Sequence, residues 1–330
     1  KLHRQVFIGD SLTRYQYLDL AFTLQSRSDL KARATQNPLM EQTWDNYSVF
    51  YNGTNEWLQP NEYCDCHRPE RPLSKKYNFN TATKRRTVEN RHYFWRPRRF
   101  QAGRSNATSA PVFTDCKVTI SYVSSFKASD NVTGHLQYST FLPAAFRAPL
   151  STAAFDAADW RGERWSKSLP EFVTEIGNAL SPTVIVYNTG LHSAVVEPST
   201  ARALHDAMRR ASPCVIYKTT TRTKVATAAQ LSKGVAAVFA DGAVLDAARL
   251  TDSNTLRPRG WLQNLHVDNA HYSAKSNVYH DLNMVLLAGL YGGDALTPEM
   301  WEVRFGAVGP YLRVALNRGS CGRSAHKQRK

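Results

Sequence analysis

The stretch QVFIGDSLTRYQ, residues 5–16, decides the fold class, because it changes from a strand pattern to a helix pattern within a few residues. Residues 5–8 form a short apolar run, which is typical of a buried strand. Gly9-Asp10-Ser11 interrupts this run, and the apolar residues that follow recur at helical spacing: Leu12, Tyr15, Leu18 and Phe22. Ser11 therefore lies where a strand ends and a helix begins, which makes it either a helix N-cap or a nucleophile presented at the turn.

The rest of the chain continues this alternation of strands and helices. Helices are predicted at Leu169–Leu180, Pro198–Arg210, Ala226–Phe239, 276–291 and Pro298–Phe305, and strands at Val118–Phe126, Thr183–Tyr187, Cys214–Lys218 and Trp261–Val267. The β-branched run at 183–187 is typical of a parallel strand that is buried on both faces. The pattern predicts an α/β fold, a doubly wound parallel sheet with helices on both faces.

Residues 25–115 do not follow this pattern. They are rich in Asn, Pro, Arg and Tyr, and short strand-like pieces occur at Tyr47–Tyr51 and His92–Trp95. We interpret this stretch as a large, loop-rich, basic insertion in a single domain that spans residues 1–330.

The charge of the chain favours an anionic partner. The 330 residues carry a formal net charge of +15, and the segment from Arg68 to Arg104 has twelve Lys or Arg but only two acids. Three interpretations of this basic segment stay open: a solvated insertion, a surface for an acidic or sugar-rich ligand, and a nucleic-acid surface. No RRM, KH, zinc-finger or helix-turn-helix signature supports nucleic acid, which is therefore the least favoured.

The cysteines and sequons favour a secretory lumen. The chain has five cysteines, and Asn-x-Ser/Thr sequons occur at Asn46, Asn52, Asn106 and Asn131. Cys64-Asp65-Cys66-His67 resembles half of a zinc site, but no second half follows, so no metal is predicted. No run approaches the roughly 18 apolar residues that a membrane span needs. Because the chain begins at Lys1 almost directly with a strand, we expect the natural protein to be longer at its N-terminus, where an anchor or signal would lie outside this sequence.

Candidate functional residues follow the predicted strands. In a doubly wound sheet, ligands bind beyond the carboxyl ends of the strands. Ser11 follows the first strand, Asn188 and Gly190 follow the strand at 183–187, and Asp268 and His271 follow the strand that ends at Val267. A serine, an amide and an Asp-x-x-His pair are therefore expected at one edge of the sheet.

This set of residues fits acyl transfer. His271 would take the proton of Ser11, and Asp268 would hold the other ring nitrogen of His271. The Ser11 N–H and the Asn188 side-chain amide would donate to the oxyanion. Structural roles are the alternatives: a surface histidine, a turn cap at Asp268, and a loop shaped by Asn188 and Gly190. Rival bases are His192, His205, His266 and His280.

The motifs FIGDS, NTG and DNAH resemble the GDSL/SGNH esterase superfamily. More narrowly, GDSLTRYQ (9–16), YNTGLH (187–192), DNAH (268–271), YFWRPRRF (93–100) and, loosely, YKTTTRT (217–223) resemble the PC-esterase group with the trichome birefringence-like polysaccharide O-acetyltransferases. The chain departs from that group at His192, which falls one position late, and in lacking the family's Trp pair. Asn269 and Tyr272 replace two cysteines. Gly53 and Gly103 are both candidates for the superfamily's second glycine.

The resemblance implies an SGNH-like domain that transfers acetyl groups to a polysaccharide or glycan through an acetyl-Ser11 intermediate. It implies a donor such as acetyl-CoA, no metal or redox cofactor, and a location in the Golgi lumen or outside the cell. Arg14 either binds an anionic part of the donor or acceptor, or pairs with Asp10 or Asp19, and Gly190 is the other candidate for substrate binding. The alternatives are a carbohydrate acetylesterase, a non-catalytic glycan-binding protein and, last, a nucleic-acid binder.

Overall fold

The computed structural model describes residues 3–26, 47–58, 61–67, 88–95, 118–125, 131–134, 165–188, 197–221, 243–251, 271–272, 278–291 and 316–317. The strands are β1 (His3–Gly9), β2 (Glu62–His67), β3 (Val88–Trp95), β4 (Val118–Ser124), β5 (Asn131–Gly134), β6 (Trp165–Ser168), β7 (Val184–Tyr187), β8 (Val215–Lys218), β9 (Ala243–Leu245) and β10 (Leu316–Asn317). The helices are α1 (Ser11–Ser26), α2 (Tyr47–Leu58), α3 (Leu169–Leu180), α4 (Pro198–Ala211), α5 (Ala247–Leu250) and α6 (Val278–Tyr291).

One eight-stranded sheet organises these elements, in the order β10-β9-β8-β7-β1-β4-β3-β2. The strands β9, β8, β7, β1 and β4 pair in parallel with their neighbours in this order. The strands β10, β3 and β2 pair antiparallel at the two ends. β1 lies in the middle between β4 and β7, so the turn that follows it opens at the centre of the sheet. β5 and β6 form a separate antiparallel pair.

Helices cover both faces of the sheet. Phe7, Val186 and Ile216 point to one core, which contains apolar side chains of α1, α2 and α6. Ile8 and Tyr187 point to the other core, which contains side chains of α3 and α4. Alternating side chains of one strand thus reach opposite cores, as period-2 geometry requires. The prediction of an α/β fold with a mostly parallel sheet and helices on both faces is confirmed at this level.

The predicted elements around the sheet centre are confirmed within one or two residues, and these are β1, β4, β7, β8, α1, α3, α4 and α6. The prediction of a strand at Tyr47–Tyr51 is wrong, because this segment begins α2. Phe50, Thr54 and Leu58 recur at helical spacing and are buried, which explains the helix. Three other predictions lie outside the described residues, namely the helices at Ala226–Phe239 and Pro298–Phe305 and the strand at Trp261–Val267.

The two described strands of the predicted insertion belong to the main sheet. β2 pairs with β3, and β3 pairs with β4, so both strands extend the sheet beyond its parallel part. A disulfide joins Cys64 and Cys66 within β2. Cys214, which precedes β8, is also disulfide-bonded.

No helix in the described part of the chain combines the length and the apolar character needed to cross a membrane.

Candidate active site

The turn after β1 is organised by Asp10. Its carboxylate Oδ1 accepts a hydrogen bond from the Leu12 N–H at 3.0 Å, and its carbonyl accepts from the N–H groups of Thr13 at 3.0 Å and Arg14 at 2.9 Å. Helix α1 begins at Ser11. Asp10 therefore caps the helix, and the expectation that Ser11 is the N-cap is wrong. The Ser11 hydroxyl is left for a different partner.

Neighbouring strands hold this turn in place. The Tyr122 hydroxyl, on β4, lies 3.1 Å from the Gly9 carbonyl oxygen and 3.2 Å from that of Asp10. A Cβ atom at Gly9 would lie 2.5 Å from the Thr13 Oγ1 and 3.1 Å from the Asn188 carbonyl oxygen. Only glycine fits at this position, because a side chain would push α1 away from the ends of β1 and β7.

The structure brings Ser11 and His271 together. The His271 Nε2 lies 2.7 Å from the Ser11 Oγ, although 260 positions separate the two residues in the chain. Both side chains are partly exposed. The Tyr15 ring packs against the imidazole in an edge-to-face arrangement, with the ring centroids 5.4 Å apart. The distance is that of a nucleophile–base pair.

Helix α6 helps to position His271. The next residue, Tyr272, donates its backbone N–H to the Tyr279 hydroxyl at 3.4 Å. The Tyr279 ring lies 5.7 Å from the ring of Tyr15. Burial raises the pKa of Tyr279, which keeps its hydroxyl neutral. The backbone next to His271 is thus tied to α6 by the Tyr279 hydroxyl, and the imidazole itself packs against Tyr15 of α1.

The Ser11 backbone N–H is available to a ligand. The first four N–H groups of a helix have no partner inside the helix. Here Asp10 accepts from those of Leu12, Thr13 and Arg14. Among the described residues, none accepts a hydrogen bond from the Ser11 N–H. The predicted oxyanion donor at Ser11 is therefore positioned next to the Ser11 Oγ with no competing acceptor in this part of the chain.

Asn188 lies at the expected edge of the sheet, directly after β7, and is completely buried. Its Nδ2 donates to the Lys218 carbonyl at 2.8 Å and to the Thr220 Oγ1 at 3.1 Å. The Lys218 carbonyl can only accept, which fixes the orientation of the amide. Both amide hydrogens therefore point toward the end of β8. An oxyanion would have to replace Thr220, so the role of Asn188 in an oxyanion hole stays a prediction.

Arg14 is buried in an ion pair. Its Nη1 lies 3.2 Å from the Glu89 Oε2, and its guanidinium carbon lies 4.9 Å and 5.0 Å from the ring centroids of Tyr15 and Phe50. The observed pair is with Glu89, on β3, which neither expected alternative named. Substrate binding by Arg14 stays a prediction.

Two buried residues behind the turn were not predicted from the sequence. The Lys218 Nζ, at the end of β8, donates to the Gln16 Oε1 at 3.1 Å. Burial lowers the pKa of Lys218 to about 8, although the negative charge of Asp10 opposes the shift. The signals were present in the sequence, because Gln16 closes the GDSLTRYQ motif and Lys218 ends an apolar strand.

The remaining candidates fall into two groups, those that the structure describes and those outside the described residues. The rival bases His280 and His205 have acidic neighbours of their own, since their Nδ1 atoms lie 3.6 Å from the Asp19 Oδ2 and 3.9 Å from the Asp206 Oδ1. Gly53 lies in α2. The positions outside the described residues are Asp268, Gly190, His192, His266 and Gly103. The described residues contain no group of three or more His, Cys, Asp or Glu side chains that is arranged to hold a metal ion.

Comparisons with known proteins add no relative. No protein-family model, no curated protein and no solved structure matches this chain.

Proposed function

We propose that the protein is a serine-dependent acyl-transfer enzyme of the SGNH type, which transfers acetyl groups to the hydroxyls of a polysaccharide or glycan. The observation that carries the proposal is the 2.7 Å contact between the His271 Nε2 and the Ser11 Oγ at the carboxyl edge of the sheet. A serine hydroxyl becomes nucleophilic when a base at this distance takes its proton.

In the first half-reaction, His271 takes the Ser11 proton while the Ser11 Oγ attacks the acetyl carbonyl of the donor. The resulting oxyanion accepts a hydrogen bond from the Ser11 N–H. Once it replaces Thr220, it also accepts one from the side-chain amide of Asn188. The tetrahedral intermediate then collapses, and the bond from the acetyl carbon to the donor's thiol or alcohol breaks. His271 returns its proton to this leaving group, and acetyl-Ser11 remains.

In the second half-reaction, His271 takes the proton of a sugar hydroxyl as that oxygen attacks acetyl-Ser11. The new ester forms on the sugar, and the Ser11 Oγ leaves with the proton from His271. Water in place of the sugar gives an acetylesterase by the same steps. In this proposal Asp268 orients His271 and stabilises the imidazolium.

The substrate class is proposed from the resemblance of the motifs and from the charge. The net charge of +15 suits an acidic glycan, and the donor would be an acetyl thioester such as acetyl-CoA. The disulfide-bonded cysteines 64, 66 and 214 suit an oxidising compartment, as do the exposed sequon residues Asn52 and Asn131. We therefore propose the Golgi lumen or the extracellular space as the location.

The test is intact-mass detection of an acetyl adduct after brief exposure to p-nitrophenyl acetate. The wild type is expected to gain one acetyl group, which peptide mapping should assign to Ser11. Ser11→Ala and His271→Ala should remain unlabelled. Ser199→Ala and His205→Ala are matched controls, since Ser199 also lies in the first turn of a helix and His205 is half-buried on α4, and both should label as the wild type does.

The same experiment separates the alternatives. Transfer of acetyl from Ser11 to added glycan identifies a transferase, and release as acetate in the presence of glycan identifies an esterase. A wild-type protein that forms no adduct contradicts the proposal and leaves glycan binding or nucleic-acid binding. Nucleic-acid binding would persist in Ser11→Ala and fall steeply with salt concentration.

A further inference from the structure

Lys218, the last residue of β8, links that strand to α1, the helix that carries Ser11. Its Nζ donates to the side chain of Gln16, which lies on α1 a little more than one turn after Ser11. The backbone carbonyl of Gln16 accepts from the Asn283 Nδ2 at 2.9 Å, so the same residue also ties α1 to α6. Gln16 and Lys218 are both fully buried.

The main chain of Lys218 holds a second part of the site. Its carbonyl accepts the 2.8 Å hydrogen bond from Asn188, the predicted oxyanion donor. One residue therefore contacts the nucleophile helix with its side chain and the Asn188 amide with its backbone. A small shift of Lys218 would change the spacing between Ser11 and Asn188.

We infer that Lys218 is a positioning residue for the proposed Ser11 chemistry: its protonated side chain, through Gln16, keeps α1 in register with Asn188. The inference rests on the proposed function for its activity readout. Lys218 is not a catalytic residue, since it acts through Gln16 and Asn188.

The surroundings of Lys218 make its hydrogen bond to Gln16 sensitive to alkaline pH. Asp10, at the end of β1, favours the ammonium, whereas burial disfavours it and lowers the pKa to about 8. α1 presents the uncharged Gln16, and the β9 partner is the apolar Leu245. Among the described residues of α1 and α6, burial keeps Tyr279 neutral, and the Asp19 Oδ2 lies 3.6 Å from the His280 Nδ1.

Loss of the proton weakens the link to Gln16, because a hydrogen bond from an ammonium is stronger than one from a neutral amine. We expect the wild-type rate of Ser11 acetylation by p-nitrophenyl acetate to fall above about pH 8. General-base catalysis alone gives no reason for such a fall, because a rising pH favours the proton-accepting form of a general base.

Two variants test the inference. Lys218→Met keeps the volume and apolar stem, and it should acetylate Ser11 about tenfold to a hundredfold more slowly at pH 7, with no fall above pH 8. Gln16→Glu puts a carboxylate against the ammonium, and it should move the fall to higher pH. The Gln16 Nε2 makes no hydrogen bond among the described residues, so this exchange removes none of the described bonds.

Lys167→Met, on β6, is the matched control and should keep the wild-type profile. A Lys218→Met protein with the wild-type rate and the wild-type fall overturns the inference, as does a Gln16→Glu profile that does not move. Circular dichroism at pH 7 confirms that each variant is folded.

A second readout needs no turnover. Hydrogen-exchange protection of the first turn of α1 should fall above about pH 8 in the wild type and should be low at every pH in Lys218→Met. Unchanged protection in both overturns the inference even if the enzyme is active. Failure of the proposed function appears separately, as a wild-type protein that forms no Ser11 adduct at any pH.

Discussion

In the part of the chain that the structure describes, each half of the sheet buries one cation completely, but the two cations have opposite kinds of partner. In the antiparallel half, Arg91 on β3 lies 2.9 Å from a Glu89 oxygen and 3.1 Å from a Glu62 oxygen. In the parallel half, the Lys218 Nζ on β8 donates a hydrogen bond to the amide oxygen of Gln16. Burial lowers both pKa values, yet the two carboxylates raise the pKa of Arg91 above its ordinary value, while that of Lys218 falls to about 8.

The comparison shows that burial alone does not decide the state of a charge. The partner decides it, because a carboxylate restores the electrostatic stabilisation that water supplied and an amide oxygen restores only part of it. The antiparallel half therefore holds a locked, paired cation. The parallel half holds a cation that can lose its proton next to the candidate site.

The paired cation belongs to a larger set of buried groups, which we call the charge chain: Arg14, Glu89, Arg91 and Glu62. Hydroxyl groups complete it, since Tyr17 donates to Glu62 and Tyr51 donates to Glu89. Its members lie on α1, β2 and β3, and its hydroxyl partners on α1 and α2. The charge chain thus ties the nucleophile helix to the antiparallel half.

The largest expected effect comes from removing the shared carboxylate. Glu89→Gln leaves Arg91 with the carboxylate of Glu62 and gives Arg14 an amide in place of its carboxylate partner, so that Arg14 comes to resemble Lys218. We expect the free energy of unfolding to fall by about 3–5 kcal/mol, as for other broken buried ion pairs. Urea unfolding at pH 7 measures it.

Glu56→Gln is the control for that substitution, because Glu56 is exposed on α2. It should change the free energy of unfolding by no more than about 0.5 kcal/mol. A Glu89→Gln protein as stable as Glu56→Gln would mean that the charge chain adds nothing, and the contrast between the two halves would collapse.

The next effect comes from removing the other cation. Because the folded-state pKa of Lys218 is lowered to about 8, the folded protein binds fewer protons than the unfolded chain between pH 8 and the ordinary lysine value of 10.5. Wild-type stability should therefore gain from this group as the pH rises through that window, by about 3 kcal/mol in total at about 1.4 kcal/mol per pKa unit. Lys218→Met should lack this gain.

The measurement is the difference in unfolding free energy between Lys218→Met and the wild type at pH 7, 8, 9 and 10. The variant should be favoured most at pH 7, and its advantage should shrink as the pH rises. A difference that does not depend on pH would mean that Lys218 is not a strained cation.

The sequence predicted the parallel half well because its elements follow apolar periodicity. The run at 184–187 is buried on both faces, as its β-branched residues indicated, and α3 and α4 present one apolar face each. The sequence led us to expect Ser11 and His271 at one edge of the sheet, since the ends of parallel strands meet there, and the 2.7 Å distance between the two side chains agrees with that expectation. The cap at Asp10 was missed, because Asp and Ser are equally good N-caps and stand side by side.

The antiparallel half could not be predicted by the same reasoning. In VENRHYFW, residues 88–95, Glu89, Asn90, Arg91 and His92 are all buried, although their side chains are typical of a surface. Their burial depends on partners that are remote in the sequence, such as Glu62, 29 positions from Arg91. Part of the charge that suggested a basic surface between Arg68 and Arg104 is therefore internal.

A smaller effect is expected where two apolar surfaces meet without any charge. A Cβ atom at Gly177, on α3, would lie 2.7 Å from the Cβ and 2.9 Å from the Cα of Ala211, on α4. These atoms cannot rotate away, so the helices must separate. We expect overpacking in Gly177→Ala to lower the unfolding free energy by about 1–3 kcal/mol. The higher helix propensity of alanine should offset about 1 kcal/mol of this loss.

The double variant Gly177→Ala/Ala211→Gly tests the cause, because it removes the Cβ atom that opposes the new methyl group. Its unfolding free energy should be higher than the sum of the two single-variant effects predicts. Thermal unfolding at pH 7 and at high salt provides the measurement. Neither pH nor salt should change the size of this effect, in contrast to Lys218. A Gly177→Ala protein that is more stable than the wild type would show that α3 and α4 are not in close contact.

The smallest effect comes from a carboxylate that has partners but stays in water. The Glu171 Oε2, in the first turn of α3, accepts hydrogen bonds from the Ser168 N–H at 3.0 Å and the Ser168 Oγ–H at 2.6 Å. These bonds lower the pKa of Glu171. Its contribution to stability should be complete above the unfolded-state pKa and should disappear as the pH falls through the lower folded-state pKa.

The measurement is the stability difference between Glu171→Gln and the wild type from pH 7 to pH 3. Glutamine can still accept both hydrogen bonds, so the difference reports the charge alone and should vanish at the acid end. Glu197→Gln is the control, since Glu197 also lies at the N-terminal end of a helix, as the N-cap of α4, but makes no side-chain capping bond, and it should show no such dependence. If Glu171→Gln showed a pH dependence as large as that of Lys218→Met, solvent would not be weakening the exposed pair, and burial would not explain the difference between the two halves of the sheet.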